Sequence, residues 1–200
     1  MPKITLTDFV DVVTRSGPAK ITKIAQIKNR PKYSPQADFY KAVRDCIIEM
    51  HEKNLPKSHL EDMLGKLTDA KKITNYPDIA AGYTKWLGRK ELVWFTPPHE
   101  TFSAHGVDVV INPEVGLRVA GVPHIIKLYF KGESLSASKV QIVAHLMEIS
   151  LRPLCKKPET RMSVLDTRNA KLLTPNVPVE RLTAGLRGEL AYIAAVWSDL

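Results

Sequence analysis

Three runs of β-branched and apolar residues in the middle of the chain limit its possible folds more than any other segment. Val107 to Ile111 and Ile125 to Phe130 are strong runs, and Val115 to Ala120 is a weaker one between them. The turn formers Asn112-Pro113 and Gly121-Val122-Pro123 separate the three runs. The pattern predicts three short antiparallel strands in a meander.

The third run differs from the other two because it is apolar at nearly every position except Lys127. Such a run predicts a central strand that is buried on both faces. The residues after Gly132 are apolar at helical spacing as far as Leu151, which predicts a helix that packs across the strands. Gln141 lies on the polar face of this predicted helix.

Helices are predicted on the N-terminal side of the strands. Ser34-Pro35 opens a long helix with Gln36 to Lys53 as its body, and a second helix runs from Ser58 to Lys72. Asn75-Tyr76-Pro77 is interpreted as a helix break, and Leu92 to Phe95 as a strand.

On the C-terminal side, Arg161 to Asp166 is predicted to be a strand, and a final helix follows Pro178. Together these elements predict a mixed α/β (α+β) fold with a single sheet of about four to six strands flanked by helices. A length of 200 residues favours a single domain, residues 1–200. Its predicted parts are an N-terminal helix with a basic arm at 1–35, an α/β core at 36–166 and a C-terminal extension at 167–200.

A net charge of +8 predicts an anionic partner, with nucleic acid as the first choice. The segment from residue 20 to residue 32 contains no acidic residue, and isoleucines recur in it at every third position. It is compatible with an irregular helix or an extended arm whose cations contact phosphates, and a solvated basic face is the alternative. The candidate phosphate-binding residues are Lys20, Lys23, Lys28, Arg30 and Lys32.

The sequence lacks the features that are typical of several classes of protein. It shows no signal segment and no apolar run near the roughly 18 residues of a membrane span, so we expect a cytoplasmic protein without membrane contact. Cys46 and Cys155 form no CxxC pair and are interpreted as reduced structural thiols. The motifs of P-loop and dinucleotide sites, serine hydrolases and zinc proteases are absent.

The order helix, three-strand meander, helix, strand across residues 36–166 resembles the core of the PD-(D/E)xK nuclease superfamily, the restriction-endonuclease-like fold. In that family an acidic residue near the start of the second core strand and a D/E-x-K on the third hold a divalent metal and activate water. A helix after the third strand often adds a glutamine. The resemblance implies that these places are taken by Glu114, by Lys127 and by Gln141. Ile125 departs from the family pattern, which has Asp or Glu at that position.

The isoleucine matters chemically, because two carboxylates that share a site concentrate the negative charge that holds Mg²⁺ beside a phosphate. With Ile125 in the second place the metal loses a ligand, and Glu114 alone would bind it poorly. The resemblance therefore implies a degenerate relative without a cofactor, in which Glu114, Lys127 and Gln141 form a relict or altered site.

The resulting prediction is a nucleic-acid-binding, non-catalytic nuclease-like protein, or a subunit of a DNA-processing or defence assembly, with DNA and protein subunits as partners. One alternative is a Mg²⁺-dependent nuclease in which Glu114 binds the metal beside Lys127 and another acid completes the site. The second is a structural or protein-interaction subunit. Plainer interpretations stay open as well: Lys127 could expose its ammonium group at the sheet edge, and Glu114 could be a turn carboxylate.

Overall fold

The computed structural model describes residues 1–31, 38–176 and 180–200. Within them the chain is a mixed α/β protein, which confirms the predicted fold class. The α-helices of this described part are α1 (Leu6–Val13), α2 (Gly17–Lys28), α3 (Lys41–Glu52), α4 (Ser58–Gly65), α5 (Ala70–Leu87), α6 (Ala137–Leu151) and α7 (Glu180–Asp199). The strands are β1 (Lys3–Thr5), β2 (Leu92–Phe95), β3 (Glu100–Ala104), β4 (Val107–Ile111), β5 (Val115–Val119), β6 (Val122–Tyr129), β7 (Arg161–Asp166) and β8 (Lys171–Leu173).

These strands form two sheets, whereas the sequence pattern predicted a single one. The larger sheet has the order β2-β5-β6-β7-β8, and the smaller has the order β1-β4-β3. The predicted meander of β4, β5 and β6 is therefore corrected in its first member. β4 pairs with β3 and β1, and β2 takes the place beside β5.

The two connections of β4 explain this correction. β3 and β4 are joined by His105 and Gly106, which have φ angles of 51° and 75°, the left-handed conformation that two-residue hairpin turns require. The break at Asn112-Pro113 does not fold β4 back onto β5 but carries the chain from the smaller sheet into the larger one. A tight local hairpin thus replaces the predicted pairing of β4 with β5.

β6 is the central strand of the larger sheet, in agreement with its apolar sequence. It lies between antiparallel β5 and parallel β7, and it is buried from Pro123 to Leu128. α6 provides the crossover that a parallel pair needs. The helix begins after Ser136, whose hydroxyl accepts a hydrogen bond from the backbone N–H of Lys139.

The two faces of the larger sheet are covered by separate hydrophobic cores. On one face, Ile125 and Val164 pack with α1, α6, α7 and the smaller sheet, which we call core 1. On the other face, Leu117 and Ile126 pack with α3, α4 and α5, which we call core 2. Because side chains alternate along a strand, Lys127 shares the face of Ile125 and points to the side of core 1.

The first two predicted helices have different bounds in the structure. α3 begins at Lys41, and the predicted start at Ser34-Pro35 lies outside the described residues. The helix predicted from Ser58 to Lys72 is interrupted, because α4 ends at Gly65 and α5 begins after Asp69. The Asp69 carboxylate accepts hydrogen bonds from two backbone N–H groups of the first turn of α5, and this cap gives the second helix its own start.

The predicted helix break at Asn75-Tyr76-Pro77 is wrong, because α5 continues through it. Pro77 is exposed, whereas Tyr76 and Ile79 are completely buried in core 2. Packing on both sides of the proline therefore holds the helix together in spite of one missing backbone hydrogen bond.

Both ends of the chain pack onto core 1. β1 pairs in parallel with β4, and α7 contributes Leu186, Leu190 and Ile193 to the core. The described helices include none that combines the length and the apolar character of a membrane-crossing segment.

Candidate functional site

Glu114 and Lys127, the two residues at the centre of the sequence prediction, form a buried ion pair. Lys127 Nζ lies 2.6 Å from Glu114 Oε1, and each side chain is only 10% exposed. The second carboxylate oxygen accepts a hydrogen bond of 2.8 Å from the backbone N–H of Leu128. Both oxygens of Glu114 are thus engaged by β6, and the ammonium group of Lys127 is held inside the protein.

The pair also fastens the connection between the two sheets. Lys127 Nζ donates to the carbonyl oxygen of Asn112 at 3.0 Å, and the backbone N–H of Glu114 donates to the carbonyl of Ile126 at 3.1 Å. The segment from 112 to 114 is the one that leaves β4 and enters β5. The single lysine of this buried strand therefore has a structural role, because it neutralises Glu114 and holds the segment that connects β4 to β5.

A cleft of about 640 Å³ opens over the ion pair. α1 and α6 contribute one part of its wall, and α3 and the end of β2 contribute another. A volume of this size is typical of pockets for small ligands. Its apolar and aromatic lining includes Leu6, Val10, Tyr40, Ile48, Trp94 and Leu135.

The cations of this cleft are neutralised within the protein. Besides Lys127, the cationic side chains among the lining residues are Arg44, Lys131 and Lys139. Their carboxylate partners are, in the same order, Asp38 at 2.7 Å, Asp11 at 2.6 Å and Glu133 at 3.3 Å. Each of these cations thus has a carboxylate partner, and Asp11 is shared by Lys131 and Lys23.

The structure does not bring Gln141 to the ion pair. Gln141 is exposed on α6 and lies outside the lining of the cleft. Ile125, at the place of the second family carboxylate, is 1% exposed within core 1. The described residues contain no group of three or more His, Cys, Asp and Glu side chains arranged to hold a metal ion.

The basic segment is the helix α2, which packs between α1 and α7. Its cations have partners inside the chain: Lys20 with Glu189 at 2.8 Å, Lys23 with Asp11 at 3.5 Å, Lys28 with the Trp197 carbonyl at 2.7 Å and, just after the helix, Arg30 with Asp8 at 2.7 Å. Lys32 lies outside the described residues. The four described cations attach α2 to its neighbours, so they are not arranged as a free arm.

The contact between Arg30 and Asp8 affects the titration of the carboxyl group. Burial by itself raises the pKa of Asp8. Hydrogen bonds from Arg30 and Thr5 and the charges of Arg30 and Lys23 together outweigh burial, so the pKa lies below its ordinary value of 3.8. A carboxyl group with a lowered pKa in the folded state stabilises the fold above its unfolded pKa. This stabilisation is lost as the pH falls through the folded value.

We expect the Arg30→Gln variant to lower the free energy of unfolding by about 1 kcal/mol at pH 7, a value discounted because the guanidinium side is half exposed. The difference from the unmodified chain should shrink as the pH falls below the ordinary value of 3.8 and through the lowered folded pKa of Asp8. Urea unfolding at both pH values measures it. Arg15→Gln, which removes an exposed cation after α1, is the matched control, and an equal loss in both variants would contradict the structural role of Arg30.

A second polar group on the sheet is structural. His124 Nδ1 lies 2.8 Å from Ser163 Oγ, which lies 2.9 Å from Thr174 Oγ1. Ser163 has no exposed surface, so its hydroxyl cannot reach a substrate. Burial, together with the charge of Arg161, lowers the pKa of His124 and keeps the ring neutral.

Sequence reasoning missed Asn112, Arg44 and Asp38 as neighbours of the ion pair. Asn112 was interpreted only as part of a turn, and its position two residues before Glu114 is the signal that could have drawn attention to it. Arg44 and Asp38 are more than 60 residues away from Glu114 in sequence, and no local pattern connects them to it.

Comparison with models of known protein families, with curated proteins and with solved structures finds no match to this chain. No relative indicates a role for the site, so its chemistry is inferred from its own residues.

Proposed function

We propose that this chain is a nucleic-acid-binding protein with a restriction-endonuclease-like core that does not cleave its ligand. The observation that carries the proposal is the buried pair of Glu114 and Lys127 at the base of a cleft, with both carboxylate oxygens already engaged. Each oxygen of this carboxylate already accepts a hydrogen bond, so a metal ion would have to share the carboxylate with Lys127 and Leu128. Ile125 supplies no second carboxylate.

The arrangement of the strands supports the nuclease-like core. α5 is followed by β2, β5 and β6, which are antiparallel neighbours in the larger sheet, then by α6 and the parallel strand β7. This is the order that the family resemblance implies, with the hairpin of β3 and β4 inserted after the first strand. Glu114 directly precedes the second of these strands, and Lys127 lies in the third.

The net charge of +8 supports an anionic ligand, because cationic surfaces gain affinity by releasing counterions from phosphates. We further propose that the ligand is DNA and that the protein acts in the cytoplasm, alone or as a subunit of a DNA-processing or defence assembly.

Incubation with labelled duplex and single-stranded DNA tests the proposal, with Mg²⁺, Mn²⁺ or chelator and over a series of salt concentrations. We expect retardation that weakens as salt rises, and no metal-dependent cuts. A Glu114→Gln/Lys127→Met double variant replaces the two charged side chains with uncharged ones of similar size. It should bind DNA within about twofold of the unmodified chain, because the pair contacts no phosphate.

Two other results would overturn the proposal. Metal-dependent cuts that disappear in the double variant would make the protein a nuclease that uses Glu114 and Lys127. Absence of both retardation and cleavage would favour a protein-interaction subunit.

A further inference from the structure

The larger sheet has one edge that carries several cations, of which Arg118 is half-buried and the others are exposed. β2 begins, β5 ends, and β6 and β7 begin at this edge, as the pairs of Leu92 with Val119, Val119 with Val122 and His124 with Arg161 establish. Three chain segments bring cations to it, and we call this group the basic edge: Arg89, Lys90, Arg118, Lys156, Lys157 and Arg161.

The sheet register places two of these cations near the same end of β6. Arg118 pairs with Pro123 on β6, and Arg161 pairs with His124 one residue further along the same strand. The two arginines are separated by two strand spacings, or about 10 Å. Their partners on β6, Pro123 and His124, are adjacent and so point to opposite faces of the sheet. Because paired residues share a face, the side chains of Arg118 and Arg161 also lie on opposite faces. The two guanidinium groups therefore flank the rim of the sheet.

Arg152 holds the segment with the two lysines in place. It donates hydrogen bonds to the carbonyl oxygens of Pro158 at 2.9 Å and Thr160 at 2.7 Å, while Glu148 binds the same guanidinium group. The turn from 157 to 160 is closed by a hydrogen bond between its backbone groups. Lys157 thus belongs to a fixed turn that leads directly into Arg161, and Lys156 immediately precedes this turn.

These cations differ from those of the cleft and of α2 in having few internal partners. Within the described part of the chain, Arg89, Arg118, Lys156 and Arg161 have no carboxylate within ion-pair distance. Lys157 approaches Glu159 only to 3.8 Å, and Lys90 bonds to a backbone carbonyl. The nearby carboxylates of the same segments are Glu91 and Glu159, so the positive charge of the edge is largely uncompensated.

The dimensions of the edge suit a phosphate backbone. Four adjacent strands span about 14 Å, which corresponds to about four phosphates of one nucleic-acid strand. Lys127 lies four residues further along β6 than Pro123, or about 13 Å from the row of Arg118. The basic edge is therefore separate from the ion pair and its cleft.

We propose that the basic edge, rather than the cleft or α2, is the surface that binds the phosphate backbone, an inference that rests on the proposed nucleic-acid-binding function. Phosphates need cations that are not already neutralised, and in the described chain the sheet topology collects such cations here. The contacts are to phosphates and carry no base preference of their own.

An Arg118→Gln/Arg161→Gln double variant tests this surface by titration of a labelled 20-base-pair duplex over a salt series. We expect about tenfold weaker binding near 0.1 M salt, and a plot of log affinity against log salt that is shallower by about 2. The matched control is Lys66→Gln/Lys71→Gln. It removes the same charge near the start of α5, about 25 Å from the helix end that leads to the basic edge. The control should bind within about twofold of the unmodified chain.

Arg118 and Arg161 lie in strands, so a second variant keeps the test open if the first folds poorly. Arg89→Gln/Lys156→Gln changes only residues outside helices and strands and should weaken binding by a similar factor. Salt-dependent binding by the unmodified chain with no loss in either edge variant would overturn the basic edge and leave the proposed function standing. No binding by the unmodified chain would overturn both. If polyglutamate binds as tightly as the duplex and this binding is lost in the same variants, nucleic acid would be overturned as the partner in favour of an acidic protein.

Discussion

Replacement of Gly82 by alanine will lower the free energy of unfolding by about 3 kcal/mol, because the new methyl group has no space. A Cβ at Gly82 would lie 2.0 Å from the carbonyl oxygen of Thr167 and 2.7 Å from that of Arg168. Both contacts are to backbone, so no side chain can swing away to relieve them. The helix α5 and the turn after β7 would have to separate.

The turn resists this separation because it is fastened to β6 and to α5. The N–H and the hydroxyl of Thr167 donate to the carbonyl of Tyr129 at 3.1 Å and 2.8 Å. Arg168 donates to the Phe130 carbonyl at 2.9 Å and to Asp78 of α5 at 3.1 Å. Movement of the turn would disturb these bonds as well, which is why the expected effect is large for a single methyl group.

Urea unfolding measures the effect, and Gly185→Ala is the matched control. Gly185 lies within α7, and nothing stands within 4 Å of the position of its Cβ. Alanine there should stabilise the protein by about 0.5–1 kcal/mol, because glycine in a helix costs backbone entropy. A loss below 1 kcal/mol for Gly82→Ala would contradict the close approach of α5 to the turn.

Truncation of Glu114 to alanine should cost about 3–5 kcal/mol, the largest effect expected of a substitution at the candidate site. It leaves the ammonium of Lys127 buried without its carboxylate, and the N–H of Leu128 loses its acceptor. The pair is 10% exposed, so water offers little compensation.

A double-mutant cycle built from Glu114→Gln, Lys127→Met and the variant that combines them separates the pair from its surroundings. Glu114→Gln/Lys127→Met should recover most of the stability that Glu114→Ala loses, because a neutral pair of similar volume leaves no buried charge. Chemical unfolding of the single and double variants gives the coupling free energy. If the cost of Glu114→Ala is under 1 kcal/mol, the pair is hydrated and its carboxylate is available to a ligand, which would revive the nuclease alternative.

Part of the fold follows from local patterns in the sequence. β6 was predicted as a central strand because its residues are apolar on both faces, and the strand at Arg161 to Asp166 and the helix after Gly132 were predicted from their spacing. These predictions succeed because period and burial are encoded within a few consecutive residues. Pro77 shows the limit of local rules, since the packing of Tyr76 and Ile79 outweighs the tendency of proline to end a helix.

The proximity of Glu114 and Lys127 was predicted through the family resemblance, and the structure brings the two together. Gln141 was predicted from the same resemblance, but it lies on an exposed part of α6 away from the pair. A position on a helix face depends on how the helix is rotated against the sheet, and that rotation is decided by packing with the rest of core 1.

The sequence by itself determined the fold class, the central strand and the overall positive charge of this protein. Only the tertiary structure decided which strands share a sheet and which cations are neutralised. Lys20 pairs with Glu189, which is 169 residues away in sequence, and Arg118 and Arg161 lie at one edge because β5 and β7 both adjoin β6. The physical reason is that side-chain periodicity is encoded within a few consecutive residues, whereas strand pairing and charge compensation join residues that are distant in sequence.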